Sequence, residues 1–193
     1  MKLKDYTIEE YIEKAEDKSS VPGGGSISAL CGALSASLAM MVLKLSDQDE
    51  EVYAPFRECS SVLVDNIDAD SASFDGVLRA FRMPKETREE VAIRSRAIQE
   101  GYIEAIEVPL KTMRAAEEIL SLMTRRLDLM AKDAFSDVQI AGDLAMTAFR
   151  GAKSTALINI AALKDEGQKT AYLETLEALE NRVDEHIAAI HAY

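Results

Sequence analysis

Val21-Pro-Gly-Gly-Gly-Ser-Ile-Ser-Ala-Leu-Cys-Gly-Ala-Leu-Ser-Ala-Ser-Leu-Ala-Met-Met-Val42 decides how this chain is read. A proline turn and three consecutive glycines run straight into a helix built from Ala, Ser and Gly. Adjacent glycines cost backbone entropy, so they mark a place where the chain needs unusual dihedrals or where something approaches the backbone closely. Ahead of a helix they direct unpaired N–H groups and the positive end of the helix dipole outward. Ser26 is placed as the N-cap. Two readings stand side by side: a turn feeding a buried helix, or a loop that receives a ligand. Small residues at three- and four-residue spacing (Ser28, Ala29, Gly32, Ala33, Ala36) let neighbouring helices come close. From Ser26 to Leu45 only Lys44 is charged, so the segment has the length and polarity of a membrane span. Four serines and an amphipathic remainder favour a central helix instead, covered on all sides by its own domain or a second subunit.

The rest of the chain is helical in pattern. Thr7 to Glu10 forms a capping box opening a helix that ends near Lys18. A segment from about Gln48 to Ala80 carries Pro55 near its start. Met83-Pro84 interrupts it. A second capping box, Thr87 to Glu90, starts a long helix toward Leu122, with a kink expected at Pro109. Ser136 to Lys164 and Thr170 to His191 complete the series. No convincing run alternates with period two. The expected fold is all-α, a single helical bundle over residues 1–193.

Composition narrows the function. With 193 residues the chain is long enough for a substantial core without metals or disulfides. A formal charge of -12 argues against a nucleic-acid or anionic-membrane surface. Cys31 and Cys59 read as reduced core residues of a cytoplasmic protein. The start shows no secretory pattern. His186 and His191 both fall in the last helical segment, where a solvated or helix-end role is expected. No zinc or calcium spacing occurs, so no metal is expected. The glycines lack the Gly-Lys-Ser/Thr of a nucleotide loop, and no strand precedes them as a dinucleotide fold requires. Nucleophilic serine or cysteine catalysis lacks a placed histidine.

Carboxylates and amines remain. Asp65, Asp68 and Asp70 cluster ahead of Ser71-Ala-Ser-Phe-Asp75. Arg79, Arg82, Lys85 and Arg88 then recur every three residues. These are either solvated acidic and basic faces, or a carboxylate base beside a cationic rim that draws in an anionic ligand.

Pro22-Gly-Gly-Gly-Ser26 and the helix after it resemble the opening motif of the formimidoyltetrahydrofolate cyclodeaminase and methenyltetrahydrofolate cyclohydrolase family. The match continues in order through Phe56-Arg-Glu58, Ile67-Asp-Ala-Asp-Ser-Ala-Ser-Phe74, Met83-Pro-Lys85, Arg94 with Ala97-Ile-Gln99, Val108-Pro-Leu110, Ser136-Asp137, Gly151-Ala152 and Ile158-Asn159. The resemblance implies an all-helical homodimer with tetrahydrofolate in a groove lined by the glycine loop and no permanently bound cofactor. It implies a catalytic aspartate at Asp70, with Asp68 as second choice, and Lys85 facing the reacting centre or the substrate's carboxylates. The substrate-binding candidates are Pro22, Gly23, Gly24, Gly25, Ser26, Arg82, Arg94, Asp137 and Asn159. The expected activity is methenyltetrahydrofolate cyclohydrolase. The alternatives are a cyclodeaminase releasing ammonia, or a folate-binding scaffold without catalysis.

The chain departs from the family pattern in three places. Met130-Ala131 stand where a Gly-Asn is usual, Thr155 where an asparagine follows Gly-Ala, and the Leu45 to Phe56 segment is short. The expectation is that the changed amides bear on activity if they line the pocket.

Overall fold

The structure is a computed structural model that describes residues 1–18 and 21–193. Its described residues form a short 3-10 turn, Leu3–Asp5, and seven α-helices: α1 Ile8–Glu16, α2 Gly24–Leu45, α3 Glu50–Ser73, α4 Asp75–Phe81, α5 Arg88–Thr124, α6 Phe135–Ala161 and α7 Glu166–Ala192. Two further 3-10 turns, Leu127–Leu129 and Lys132–Ala134, link α5 to α6. The expected all-α class is what the chain adopts, and no strand occurs among the described residues.

α2 is the central helix, packed chiefly against α3 and α6 and also touching α5. Its small residues explain how. Ser28, Ala29, Gly32, Ala33 and Ala36 are all buried. A methyl group on Gly32 would press on Leu63 of α3 and Ala148 of α6. One on Gly151 of α6 would overlap the Ser28 hydroxyl. Ser35 Oγ donates to the Ala141 carbonyl of α6 at 2.6 Å, and Ser28 Oγ donates to Gly24 O at 2.7 Å. The serines that make α2 look too polar for a core are thus satisfied inside it. By length and composition α2 is the one described helix able to cross a membrane.

Both capping boxes form. Thr7 Oγ1 accepts from Glu10 N–H while the Glu10 carboxylate accepts from Thr7 N–H, and Thr87 and Glu90 repeat the arrangement. Three expectations are corrected. Gly23, not Ser26, is the N-cap of α2; Ser26 lies inside the first turn and is fully buried. The Gln48 to Ala80 segment is two helices, broken at Phe74. The last helix begins at Glu166, capped by the Asp165 side chain on Gln168 N–H, four residues before Thr170.

α5 runs unbroken through Pro109. A proline there supplies no N–H to the carbonyl four residues back, which is Ala105 O. Asn159 of α6 fills that place, its Nδ2 donating to Ala105 O at 3.0 Å.

A second, smaller core sits at one end. Leu3, Tyr11, Ala29 and Ile67 pack together with Tyr6, Val21 and Leu30 around them. It fastens the N-terminal segment across α2 and α3. Leu3 N–H donates to Asp68 Oδ1 at 2.6 Å, and Lys4 Nζ meets Asp65 Oδ1 at 2.7 Å.

Candidate functional site

The glycine turn and the aspartate cluster meet in space. Among the described residues no glycine has a positive φ, and the Val21–Pro22 peptide is cis. A left-handed conformation therefore does not explain the triplet, and each glycine meets a different environment, with close approach accounting for Gly25 alone. Gly23 caps α2 in an extended conformation and lines a cleft. Gly24 is exposed with open space where a side chain would stand. Gly25 is buried, and a methyl group on it would overlap the Asp70 carboxylate.

The positive end of α2 thus already holds an anion, the chain's own Asp70. Burial holds the Asp70 carboxyl above the ordinary carboxylate range, and the Ser26 backbone N–H bonding to it pulls the other way. Ser26 Oγ faces inward and pairs with Tyr11 OH at 2.8 Å, which is why it does not cap.

Asp70 opens onto a cleft of about 460 Å³ lined by Val21, Gly23, Ser71, Ser73, Phe74, Asp75, Leu78, Thr155, Ile158 and Asn159. That volume lies within the roughly 300–1,000 Å³ of small-molecule sites. Its lining carries two carboxylates, Asp70 and Asp75, beside three open apolar residues, Phe74, Leu78 and Ile158, exposed by 40%, 42% and 74%. The Ser71 hydroxyl is buried with no hydrogen-bond partner. Among the described residues no three His, Cys, Asp or Glu side chains converge as a metal site would require.

The remaining candidates divide. Asn159 lines the cleft, although its amide nitrogen serves Ala105 and Thr155 carbonyls. Asp68 does not line it; its Oδ1 anchors Leu3 N–H, and its buried Oδ2 has no partner. Pro22 and Ser26 are buried beneath the turn. Arg82 and Lys85 are exposed after α4, outside the cleft lining. Arg94 donates from Nη2 to Phe81 O at 3.2 Å and stacks over the Phe81 ring. Asp137 lies in the first turn of α6, also outside the lining. Of the three departures from the family pattern, only Thr155 lines the cleft. Met130 is core, its carbonyl accepting from Tyr193 OH at 2.8 Å, and Ala131 N–H donates to Ser46 Oγ at 2.8 Å.

Sequence reasoning missed Tyr11, Ser71, Asp75, Leu78 and Ile158. Asp75, Leu78 and Ile158 carry a readable signal, being one and four residues past Phe74 and one before Asn159. Tyr11 carries none, because its place depends on how α1 crosses α2.

The fold and site define a class: an all-helical bundle whose small-residue central helix begins at a glycine turn and abuts a half-buried carboxylate in a ligand-sized cleft. Comparison with known proteins names it. The formiminotransferase-cyclodeaminase family profile matches residues 7–178. The chain is 31% identical over 186 residues to a methenyltetrahydrofolate cyclohydrolase of Methylorubrum extorquens, covering 90% of this chain and 88% of that protein. It is 32% identical over 182 residues to the formimidoyltransferase-cyclodeaminase of Sus scrofa, covering 88% of this chain and 33% of that one. The chain therefore spans about a third of the length of such two-activity relatives. A solved formiminotetrahydrofolate cyclodeaminase from Thermotoga maritima shares the fold, with a TM-score of 0.86, 22% identity, and 98% and 96% of the two chains covered. The chain belongs to the formiminotransferase-cyclodeaminase family.

Proposed function

We propose that the chain is a tetrahydrofolate one-carbon enzyme acting as a methenyltetrahydrofolate cyclohydrolase, with Asp70 as its base. The observation that carries this is the Asp70 carboxyl at the floor of the cleft, raised by burial yet held by the first turn of α2. A general base works best with a pKa close to the working pH, and a raised carboxylate moves that way. A relative of nearly equal length, 31% identical, carries the cyclohydrolase name, whereas the cyclodeaminase chain of similar length is 22% identical, and that difference in identity supports this activity over cyclodeamination.

Methenyltetrahydrofolate carries a delocalised cation across N5, the bridging carbon and N10. Asp70 and Asp75 supply the negative side of the cleft, and Phe74, Leu78 and Ile158 supply apolar faces for its rings. Asp70 takes a proton from water as the oxygen adds to the bridging carbon. The neutral adduct collapses to 10-formyltetrahydrofolate. The carbon–N5 bond breaks, Asp70 returns its proton to N5, and the hydroxyl proton leaves for solvent. Cyclodeamination needs the same parts. N10 attacks the carbon of the protonated formimidoyl group, leaving an amino group on the adduct; Asp70 carries the N10 proton to that amino group, and ammonia departs as the methenyl cation forms. Arg82 and Lys85, exposed and outside the cleft lining, are assigned in this reading to the substrate's carboxylates and not to the reacting carbon.

A homodimer accompanies this reading. Ile27, Leu34 and Met41 are exposed at seven-residue intervals along α2, and with Leu45 they form an apolar stripe with no charge before Lys44. Beside it lies a hollow of about 440 Å³ among Ser37, Met40, Met41, Lys44 and Leu45. A second copy of this chain is the occupant that fits an uncharged, self-complementary stripe. The cytoplasm is the compartment this reading implies.

The test is the loss of methenyl absorbance with protein present, run beside ammonia release from the 5-formimidoyl substrate. Acceleration of the first alone is expected. No acceleration of either over buffer refutes the enzyme reading and leaves a folate-binding scaffold.

A further inference from the structure

The N-terminal segment is tied to α3 by two long-range polar contacts, Leu3 to Asp68 and Lys4 to Asp65, which bring it beside the start of α2. What it delivers there is a single polar group. Tyr11 is 9% exposed, its ring lies in the small core with Ala29 and Ile67, and its hydroxyl is bonded to Ser26 in a fully buried pair. Ser26 is the residue whose backbone N–H serves Asp70, and Gly25 before it is the residue the Asp70 carboxylate rests against. A ring used only for packing needs no hydroxyl, and a serine at the third position of a helix needs no buried tyrosine.

We propose that Tyr11 is a positioning residue that acts through Ser26: its hydroxyl braces the first turn of α2 where that turn meets the Asp70 carboxylate, and its ring seals the back of Asp70 from water. Asp68 belongs to the same device as the anchor that holds Tyr11's segment in place. The ionisable groups around the pair are Cys31 on α2, Asp68 on α3 and Asp75 at the start of α4. α6 faces the cleft with Thr155 and Asn159, which do not titrate. Tyr11 responds to Asp70, Cys31 and Asp68, after burial as the larger cause of its raised pKa.

The sign of the effect follows. The first turn of α2 is what favours ionised Asp70 against its burial. Tyr11→Phe keeps the ring and the burial but slackens that turn, so the Asp70 carboxyl titrates higher still. The experiment is a carbon-13 NMR titration of aspartate-labelled protein, with the Asp70 signal assigned by Asp70→Asn. It is run on wild type, Tyr11→Phe, Ser26→Ala and the double variant, alongside kcat and KM for methenyl hydrolysis. Expected for each single variant are a shift of at least about threefold in the Asp70 ionisation constant, a kcat lower by roughly tenfold, and a KM within about twofold of wild type. The double variant is expected to be no worse than the worse single, because both remove one bond.

Folded single variants whose Asp70 titration and kcat match wild type overturn the proposal, and so do effects that multiply in the double. If Tyr11→Phe fails to fold, Ser26→Ala carries the test alone. The kinetic arm rests on the proposed function, but the titration does not. A shifted Asp70 signal in a protein that turns over no folate overturns that function and leaves the bracing role standing.

Discussion

The contact between Gly25 and Asp70 makes one substitution unusually informative, because a neighbouring glycine provides its control. Alanine at either Gly24 or Gly25 gains up to about 1 kcal/mol of helix propensity. At Gly24 nothing lies within reach of the new methyl. At Gly25 the methyl overlaps the Asp70 carboxylate, and overpacking of this kind costs about 1–3 kcal/mol. The net expectation is a loss of up to about 3 kcal/mol for Gly25→Ala and a gain of up to about 1 kcal/mol for Gly24→Ala. In a chain of this size each kcal/mol moves the Tm by about 2–4 °C, so Gly25→Ala melts up to about 12 °C lower and Gly24→Ala at or slightly above wild type. The catalytic consequence is larger. Relieving that overlap moves the proposed base by at least about 1 Å, and a misplacement of that size costs on the order of a hundredfold in kcat. Melting by circular dichroism and methenyl absorbance decay measure the two effects. A Gly25→Ala protein with wild-type Tm and kcat would refute both the packing of Asp70 against α2 and its role as base.

Asp70→Asn is expected to lower turnover by about 10²- to 10⁴-fold while folate still binds, as isothermal titration would show. Its stability effect depends on pH. Because burial raises the folded carboxyl above its unfolded value, Asp70's contribution to stability is fully present below the ordinary carboxylate range and is lost as pH rises through its folded pKa. Melts should therefore show Asp70→Asn gaining on wild type between acidic and neutral pH, and a constant difference would contradict the raised carboxyl. Gly151→Ala, whose methyl meets the Ser28 hydroxyl, is expected to cost about 1–3 kcal/mol, with Ser28→Ala recovering part of it in the double variant; additive losses by chemical denaturation would exclude that contact. Asn159→Ala is expected to cost about 1–3 kcal/mol by leaving the Ala105 carbonyl unpaired beside Pro109, read from the urea midpoint. Light scattering of the intact chain is expected to report a dimer, and Leu34→Glu on the α2 stripe a monomer.

Much of the fold was legible because local rules and tertiary demands agree along most of this chain. The capping boxes at Thr7 and Thr87 need only four residues each and form as written. The small-residue face of α2 could be read as a close-packing face because its spacing is helical whatever it packs against. The misreadings share a cause, a tertiary partner outcompeting a local one. Ser26 has the chemistry of a cap but gives its hydroxyl to Tyr11, fifteen residues away. The break at Phe74 has no proline, and the nearest glycine, Gly76, already lies inside α4. Its visible signature is Ser73 Oγ turning back to Asp70 O at 2.8 Å, a bond that competes with helix continuation. The proline at 109 was visible, but that Asn159 would serve the carbonyl it strands was not. An asparagine matched to a family motif looks like a ligand contact until its amide is seen occupied.

The site poses the same question about the glycine turn. A glycine-rich helix start ordinarily signals an anion from outside, and in this chain the anion is internal. With Asp70 seated against Gly25 and Ser26, the positive end of α2 is already committed. Within the proposed function, the turn therefore recognises the substrate's cationic carbon through Asp70 and not its anionic tail directly. That division suits the chemistry. A carboxylate buried without support would be fully protonated and useless as a base, whereas one fully solvated would be too weak. Burial raises the Asp70 carboxyl and the Ser26 backbone N–H at the helix start pulls it back. The tail's carboxylates then need cations elsewhere. Arg82 and Lys85, exposed after α4 and outside the cleft lining, are the cations this reading assigns to them against the chain's net charge of -12.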